Sequence, residues 1–217
     1  MPASTAALRR VTPARLGAAL AALALALAAA LFAAQRGADP GQDAQALMEQ
    51  LERSLRGEAA PAAPADAEAL LRMQLQRHPG DVRALVLMAR LDMKQQRWDA
   101  AAAGYRQALA AANSKAARDP DVWVECAEAI GMQQGGTLAG EPARLVGQAL
   151  ALDPAHAGAL DLAGSAAWEA QDFAAAASHW KRLLGQMAPG SARHGELSAA
   201  IRRAEQRARL ALPPPRA

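Results

Sequence analysis

Between residues 66 and 211 the apolar positions recur three and four apart, the spacing of one face of an α-helix. Leu71 and Leu75 open the pattern. Leu85 with Met88-Ala89 continues it, and so do Ala101, Tyr105 and Ala108-Leu109. The same grouping returns as Cys126-Ala127 and Ile130, then Val146 and Ala149-Leu150. It returns again as Leu160, Ala163-Gly164 and Ala167, then Ala176, Trp180 and Leu183-Leu184. The groups are punctuated by His78-Pro79, Asp119-Pro120, Asp153-Pro154 and Pro189. The chain has almost no β-branched runs of the kind that strands favour. The pattern predicts an all-α chain of short helices joined by tight turns.

The blocks are copies of one unit. Residues 154–189 carry Leu160, Gly164, Ala167, Phe173, Ala176, Trp180 and a closing Pro at intervals that the unit after His78-Pro79 repeats with Leu85, Ala89, Trp98, Ala101 and Tyr105. The period is about 34 residues, that of a helix–turn–helix repeat. The middle unit, opening at Asp119 with Trp123, is about three residues longer. Its surplus falls in QGGTLAGEP (134–142), whose glycines permit a tight backbone and whose Pro142 suits the first turn of the next helix. Small residues at the eighth and twentieth positions, such as Ala89 with Ala101 and Gly164 with Ala176, let the paired helices touch. The large residue four later, Tyr105 or Trp180, fills the gap to the next unit. Asp66–His78 reads as the second half of a preceding unit. Residues 191–211 read as the capping helix that a solenoid needs, with Leu197, Ile201 and Ala204 turned inward and the arginines outward.

Ahead of the repeats, LGAALAALALALAAALFAA (16–34) runs about 19 residues without a charge, close to the length that crosses a bilayer. Arg9, Arg10 and Arg15 precede it, so a retained span leaves the N-terminus cytoplasmic and exports the remainder. A cleaved signal peptide with Ala28-Ala29-Ala30 as its site is the rival reading. Either way the working part lies outside the cytoplasm, which in a bacterium is the periplasm. The expected organisation is an N-terminal tip and transmembrane anchor (1–35), a juxtamembrane helix and Pro/Ala linker (36–65), and a repeat domain with its cap (66–217). In the second part, Leu47, Leu51 and Leu55 lie four apart on one helical face, read as a spacer helix, with dimerisation or partner binding the alternative.

Composition sharpens this picture. The 217 residues include about 62 alanines and only seven aromatics. Alanine is the best helix former and lets helix backbones approach, whereas a β-sandwich wants β-branched and aromatic residues. The pI of about 9.6 suggests nucleic acid, but the basic excess of +3 is supplied by the three N-terminal arginines, and the body after residue 35 is neutral. There is no basic stripe interleaved with aromatics, so no nucleic-acid partner is expected. The body is dipolar: residues 181–216 hold eight bases and two acids. The single cysteine, Cys126, excludes an internal disulfide and C-x-x-C chemistry, and it falls at a core position of its helix. His78, His156, His179 and His194 show no metal-ligand spacing, and His78 and His156 read as solvated loop residues. No metal, cofactor, small-molecule substrate or nucleophile–base pair is indicated, and the chain reads as a non-enzyme.

The unit resembles the tetratricopeptide (TPR) repeat, with departures such as Asp92 at a position usually aromatic. More narrowly, DPDVWVECAEAIGMQQGGTLAGEPARLVGQALALDP, the helix around Phe173 and His179-Trp180-Lys181-Arg182-Leu183, and MAPGS are similar to the membrane-anchored TPR subunits of bacterial cytochrome c maturation, the CcmI/CycH/NrfG group. The longer members carry two spans and a leucine-zipper-like loop; one span is read here. The resemblance implies a TPR-type solenoid of about three repeats plus capping helix, preceded by one transmembrane helix. It implies a scaffold or chaperone on the bacterial inner membrane that holds the C-terminal helix of apocytochrome c and presents it to haem lyase subunits. A generic TPR scaffold for an envelope or secretion complex is the alternative.

The ligand groove of such a solenoid is lined by the second, fifth, ninth and twelfth positions of each first helix. Here these are Arg83, Val86, Arg90 and Met93; Asp121, Val124, Glu128 and Gly131; and Gly158, Asp161, Ser165 and Trp168. Five aromatics occupy packing positions of the motif and Phe32 lies in the apolar run. Trp168 has no packing role there, which makes it the expected anchor for a bound helix, against packing on the 134–142 turn.

Overall fold

The computed structural model describes residues 48–49, 51–53, 64–111 and 114–211. The chain divides into two units, Met1–Gln50 and Leu51–Ala217, and all elements named below belong to the second. The apolar run 16–34 and most of the juxtamembrane segment lie outside the described residues. Among the described residues no helix is long and apolar enough to cross a membrane.

The helices are α1 (Pro64–Arg77), α2 (Val82–Lys94), α3 (Trp98–Ala110), α4 (Pro120–Gln133), α5 (Glu141–Leu152), α6 (Ala157–Glu169), α7 (Phe173–Leu184) and α8 (Ala192–Ala211), with a 3-10 turn at Ala116–Arg118 before α4. Several of their starts follow from capping chemistry. Asp81, Asp119 and Asp172 each accept a backbone N–H of the first turn they precede. α2 packs on α3, α4 on α5, and α6 on α7; α3 then meets α4, α5 meets α6, and α7 meets α8. This is a TPR-like solenoid of three helical hairpins. α1 precedes them and α8 closes the stack, as the repeat spacing predicts.

Alanine makes the close contacts. Ala84, Ala89, Ala101 and Ala108 are fully buried, and a methyl placed on Gly104 would come within 3.2 Å of Ala89 Cβ. Leu71, Leu87, Ile130 and Leu160 supply large side chains between these contacts, each contributing about 1.5–3 kcal/mol by its burial. Tyr105 is 1% exposed and Trp180 8%. α8 buries Leu197, Ile201 and Ala204 against the last hairpin. Cys126 lies in the first core cluster, and burial pushes its thiol up to about 12, so it is inert at neutral pH.

The turns inside the hairpins differ in kind. In the first and third, one non-glycine residue takes the left-handed conformation, Gln96 at φ 58° and Gln171 at φ 62°. The longer middle turn has three such positions, and all are glycine: Gly135, Gly136 and Gly140. Asp92, at a position expected to be aromatic, is buried and ion-paired with Arg97 across the first turn, while Arg97 also reaches Glu68 on α1 at 3.0 Å.

Candidate functional site

The first helices of the three hairpins, α2, α4 and α6, are the elements that carry the expected groove positions, and the structure sorts those residues into distinct surroundings. Val86 and Val124 are buried. Val124 belongs to the core between α4, α5 and α6 and is a packing residue. Arg83 pairs with Glu52 through two hydrogen bonds of 2.8 and 2.9 Å. Gly131 is buried with Leu138 Cδ2 3.3 Å from where a Cβ would lie, so it seats the middle turn. Gly158 is half-buried against His156 and Val124. Asp161 is ion-paired with Arg193 of α8.

Arg90, Met93, Asp121 and Glu128 line one cleft of about 430 Å³, joined there by Tyr105, Lys94 and Glu125. Glu125 was not among the expected groove residues, because it sits at the sixth position of its helix. Arg90 Nε reaches both Glu125 oxygens, at 3.0 and 2.9 Å. The Tyr105 hydroxyl lies in the same cleft and also favours the charged form of this carboxylate. Burial raises the Glu125 pKa, and Arg90 and Tyr105 only partly oppose it. Glu128 is exposed, but partial desolvation within the cleft raises its pKa as well, with Glu125 and Asp161 adding like charge. Among the described residues Glu128 has no ion-pair partner.

That shift sets a pH dependence. The folded pKa of Glu128 lies above its ordinary 4.5, so the folded state holds the proton more tightly than the unfolded chain. The unfavourable term is absent below the ordinary value and develops as pH rises through the folded one. Glu128→Gln is therefore expected to raise the melting temperature at about pH 7 and leave it unchanged at about pH 4. Equal shifts at both pH values would contradict this origin.

Ser165 and Trp168 line a second cleft, of about 310 Å³, with Glu169, Trp180, Ala200 and Arg203. Trp168 is not without packing, as the motif suggested. Its ring meets Phe173 edge-on at 5.0 Å and Trp180 at 6.1 Å, which leaves it half-buried as one wall of the cleft. The motif assigns packing roles position by position, and this contact joins α6 to α7 within one hairpin.

Glu169 connects the cleft to the glycine-rich turn. Its Oε2 accepts from the Leu138 N–H at 2.8 Å and the Thr137 hydroxyl at 2.9 Å. Glu169→Ala is expected to cost about 1 kcal/mol and to speed amide exchange at Leu138, with Glu169→Gln retaining most of the protection. Unaltered exchange in the alanine variant would show that the turn holds itself.

His156 is not the solvated loop residue its position suggested. Its Nδ1 accepts the Ala159 N–H at 3.1 Å, capping α6, and its Nε2 lies 2.8 Å from Asp121 Oδ1. The cap requires the tautomer with the proton on Nε2, which then donates to Asp121.

The arginines of α8 do not all point outward. Counted from Ala192, Arg193, Glu196, Ala200 and Arg203 take the second, fifth, ninth and twelfth positions, and the last two join the Trp168 cleft. The signal was present in the sequence as the same register applied to the capping helix. Among the described residues no cluster of histidine, cysteine or carboxylate is placed to hold a metal ion.

No protein-family model matches the chain. Over 148 residues the chain is 28% identical to "Cytochrome c-type biogenesis protein CycH" of Pseudomonas aeruginosa, a match covering 68% of this chain and 35% of that protein. The chain thus spans about a third of that relative's length. Two crystal structures of MamA are similar in fold. One has a TM-score of 0.55 and 13% identity, covering 80% of this chain and 98% of that one. The other has a TM-score of 0.51 and 13% identity, covering 73% and 94%.

Proposed function

We propose that this chain, a tetratricopeptide-repeat protein of the CcmI/CycH group, is a non-enzymatic scaffold in cytochrome c biogenesis that holds the C-terminal helix of apocytochrome c and presents it to the haem lyase. The similarity to CycH carries the choice of pathway. The clefts along the first helices carry the choice of mode. They offer ionic and hydrogen-bonding groups beside an aromatic wall, the features by which a groove takes one face of an amphipathic helix. In this reading residues 16–34 anchor the chain in the bacterial inner membrane, and the solenoid works in the periplasm.

Within the groove, Arg90, Met93, Asp121 and Glu128 form one contact area and Ser165 with Trp168 the other. Trp168 supplies the anchor, a rigid and half-buried ring with apolar area still open to the cleft. Arg83, Val86, Val124 and Asp161 support these areas through their ion pairs and packing. Release to the lyase requires reversible binding, so the affinity is expected to be roughly micromolar, about −8 kcal/mol.

A peptide copying the C-terminal helix of a host c-type cytochrome, titrated into the full chain in detergent, tests this directly. Trp168→Ala is expected to weaken binding about tenfold, or about 1.4 kcal/mol. Unchanged affinity would reject the anchor, and absence of binding would reject the groove. Deletion is expected to remove covalent haem from periplasmic cytochromes, and normal haem attachment in the deletion strain would reject the pathway.

A further inference from the structure

We infer that the bound helix has one polarity: its N-terminal part lies over the α2–α4 cleft with a basic side chain facing Glu128, its apolar anchor enters the Trp168–Trp180 cleft, and its C-terminal end faces Arg203. This rests on the groove reading above and adds the direction and charge register of the ligand.

Most charges along the groove are already satisfied within the protein. Arg90 is taken by Glu125, and Asp161 by Arg193. Asp121 accepts from His156. Glu169, in the Trp168 cleft, is engaged by the Leu138 N–H and the Thr137 hydroxyl, and two further charges lining the clefts, Glu128 and Arg203, stand apart from this network. Glu128, on α4, has carboxylate neighbours in Glu125 and Asp161. Arg203, on α8, lines the aromatic cleft beside Trp168 and Trp180, and it has no ion-pair partner among the described residues. Lys94 also lines the first cleft, but with the Arg90–Glu125 pair neutral it leaves Asp121 and Glu128 against one cation there. The face is therefore negative toward its first cleft and less so at its second, where Arg203 of the cap offsets Glu169.

A helix carries partial positive charge at its N-terminus and partial negative charge at its C-terminus. The orientation stated above aligns that dipole with the field of the groove, and the opposite one places like against like. The spacing follows from packing. Neighbouring helices lie about 8–10 Å apart, so Glu128 on α4 and Arg203 on α8 are separated by two such steps, with the Trp168 cleft of α6 between them. At 1.5 Å per residue, roughly 11–13 residues of ligand helix cover that span. The ligand is then an amphipathic helix with a lysine or arginine about three turns before its terminal carboxylate and a large apolar side chain about midway.

Two synthetic alanine-based helices of roughly sixteen residues test the assignment. The forward peptide has Lys near its N-terminus, Phe midway and a free C-terminal carboxylate. The reverse peptide has Glu near its N-terminus, the same Phe, and Lys next to an amidated C-terminus. Binding to the full chain in detergent is measured by calorimetry, and nitroxide labels on either peptide end report orientation through broadening of the Trp168 indole resonance. The forward peptide is expected to bind about tenfold tighter than the reverse one. Its C-terminal label is expected to broaden Trp168 and its N-terminal label to broaden the Met93 methyl. Arg203→Glu is expected to abolish the preference without changing the melting temperature, because the residue is exposed.

Equal affinities, or tighter binding of the reverse peptide, with Trp168 still perturbed would overturn the polarity and leave the groove reading standing. If neither synthetic helix nor the cytochrome peptide perturbs Trp168, both the polarity and the groove reading fall.

Discussion

Gly164→Ala is expected to destabilise the protein by about 2–3 kcal/mol, although alanine normally favours a helix over glycine by about 1 kcal/mol. A Cβ built at Gly164 would lie 2.2 Å from Trp180 Nε1 and 2.4 Å from Cδ1. The indole cannot retreat easily, because it is packed among α6, α7 and α8 with Leu183, Leu197 and Ile201. Its N–H is buried and has no hydrogen-bond partner among the described residues, so it sits there for shape. The double variant Gly164→Ala/Trp180→Leu should show the signature. Its deficit should be smaller than the sum of the two single losses by about 1 kcal/mol or more, since the shorter side chain removes the clash. Chemical denaturation of the three variants measures this, and additive losses would show that the contact is not the cause. Gly104→Ala is the internal comparison. Its new methyl would meet Ala89 Cβ at 3.2 Å, a tight contact that a few tenths of an ångström relieves, so the loss should be much smaller.

Arg90→Ala is the second large effect, expected at about 2–3 kcal/mol. Removing one member of a half-buried pair leaves the other charged and poorly solvated. The charge left behind is Glu125, in contact with the Tyr105 hydroxyl and close to Asp121. The deficit should depend on pH. Burial already raises the Glu125 pKa, and loss of Arg90 raises it further. The folded state then holds the proton more tightly than the unfolded chain, so the penalty grows as pH rises through the folded value and vanishes below the ordinary 4.5. Denaturation at about pH 4 should therefore show much less loss than at about pH 7. Arg90→Met combined with Glu125→Leu should recover most of the stability, because neither charge then remains to be desolvated. A pH-independent loss would mean that the arginine acts through the packing of its stem.

Much of the fold was legible because repeats are a local code. The intervals among Leu85, Ala89 and Tyr105, and again among Leu160, Gly164, Ala176 and Trp180, record which faces of neighbouring helices meet, and the structure packs them together. The glycines of the middle turn were legible for a similar reason: three left-handed positions need residues without a Cβ. The groove was legible as a set of helix positions but not as a surface. Four positions per helix name a face. Whether a residue there is open depends on what the adjoining hairpin brings. Val124 sinks into the interhelical core, Asp161 is met by Arg193, and Glu125, one position away from the expected set, enters because Arg90 reaches across to it.

The sequence by itself determined the helices, their pairing, the repeat length and the closing of the stack by α8, because each follows from periodicity and from residues whose backbone preferences act within a few positions. Only the tertiary structure decided the state of the charges and of Trp168. Ion pairs such as Arg106–Glu141 and Arg90–Glu125 join residues 35 apart, one repeat away. The solvation of each carboxylate is set by both repeats at once. Trp168 looked free in a one-dimensional motif and is a cleft wall in three dimensions, since Phe173 and Trp180 are brought to it by the turn at Gln171. Interval and propensity are properties of the chain, while burial and partner belong to the folded stack.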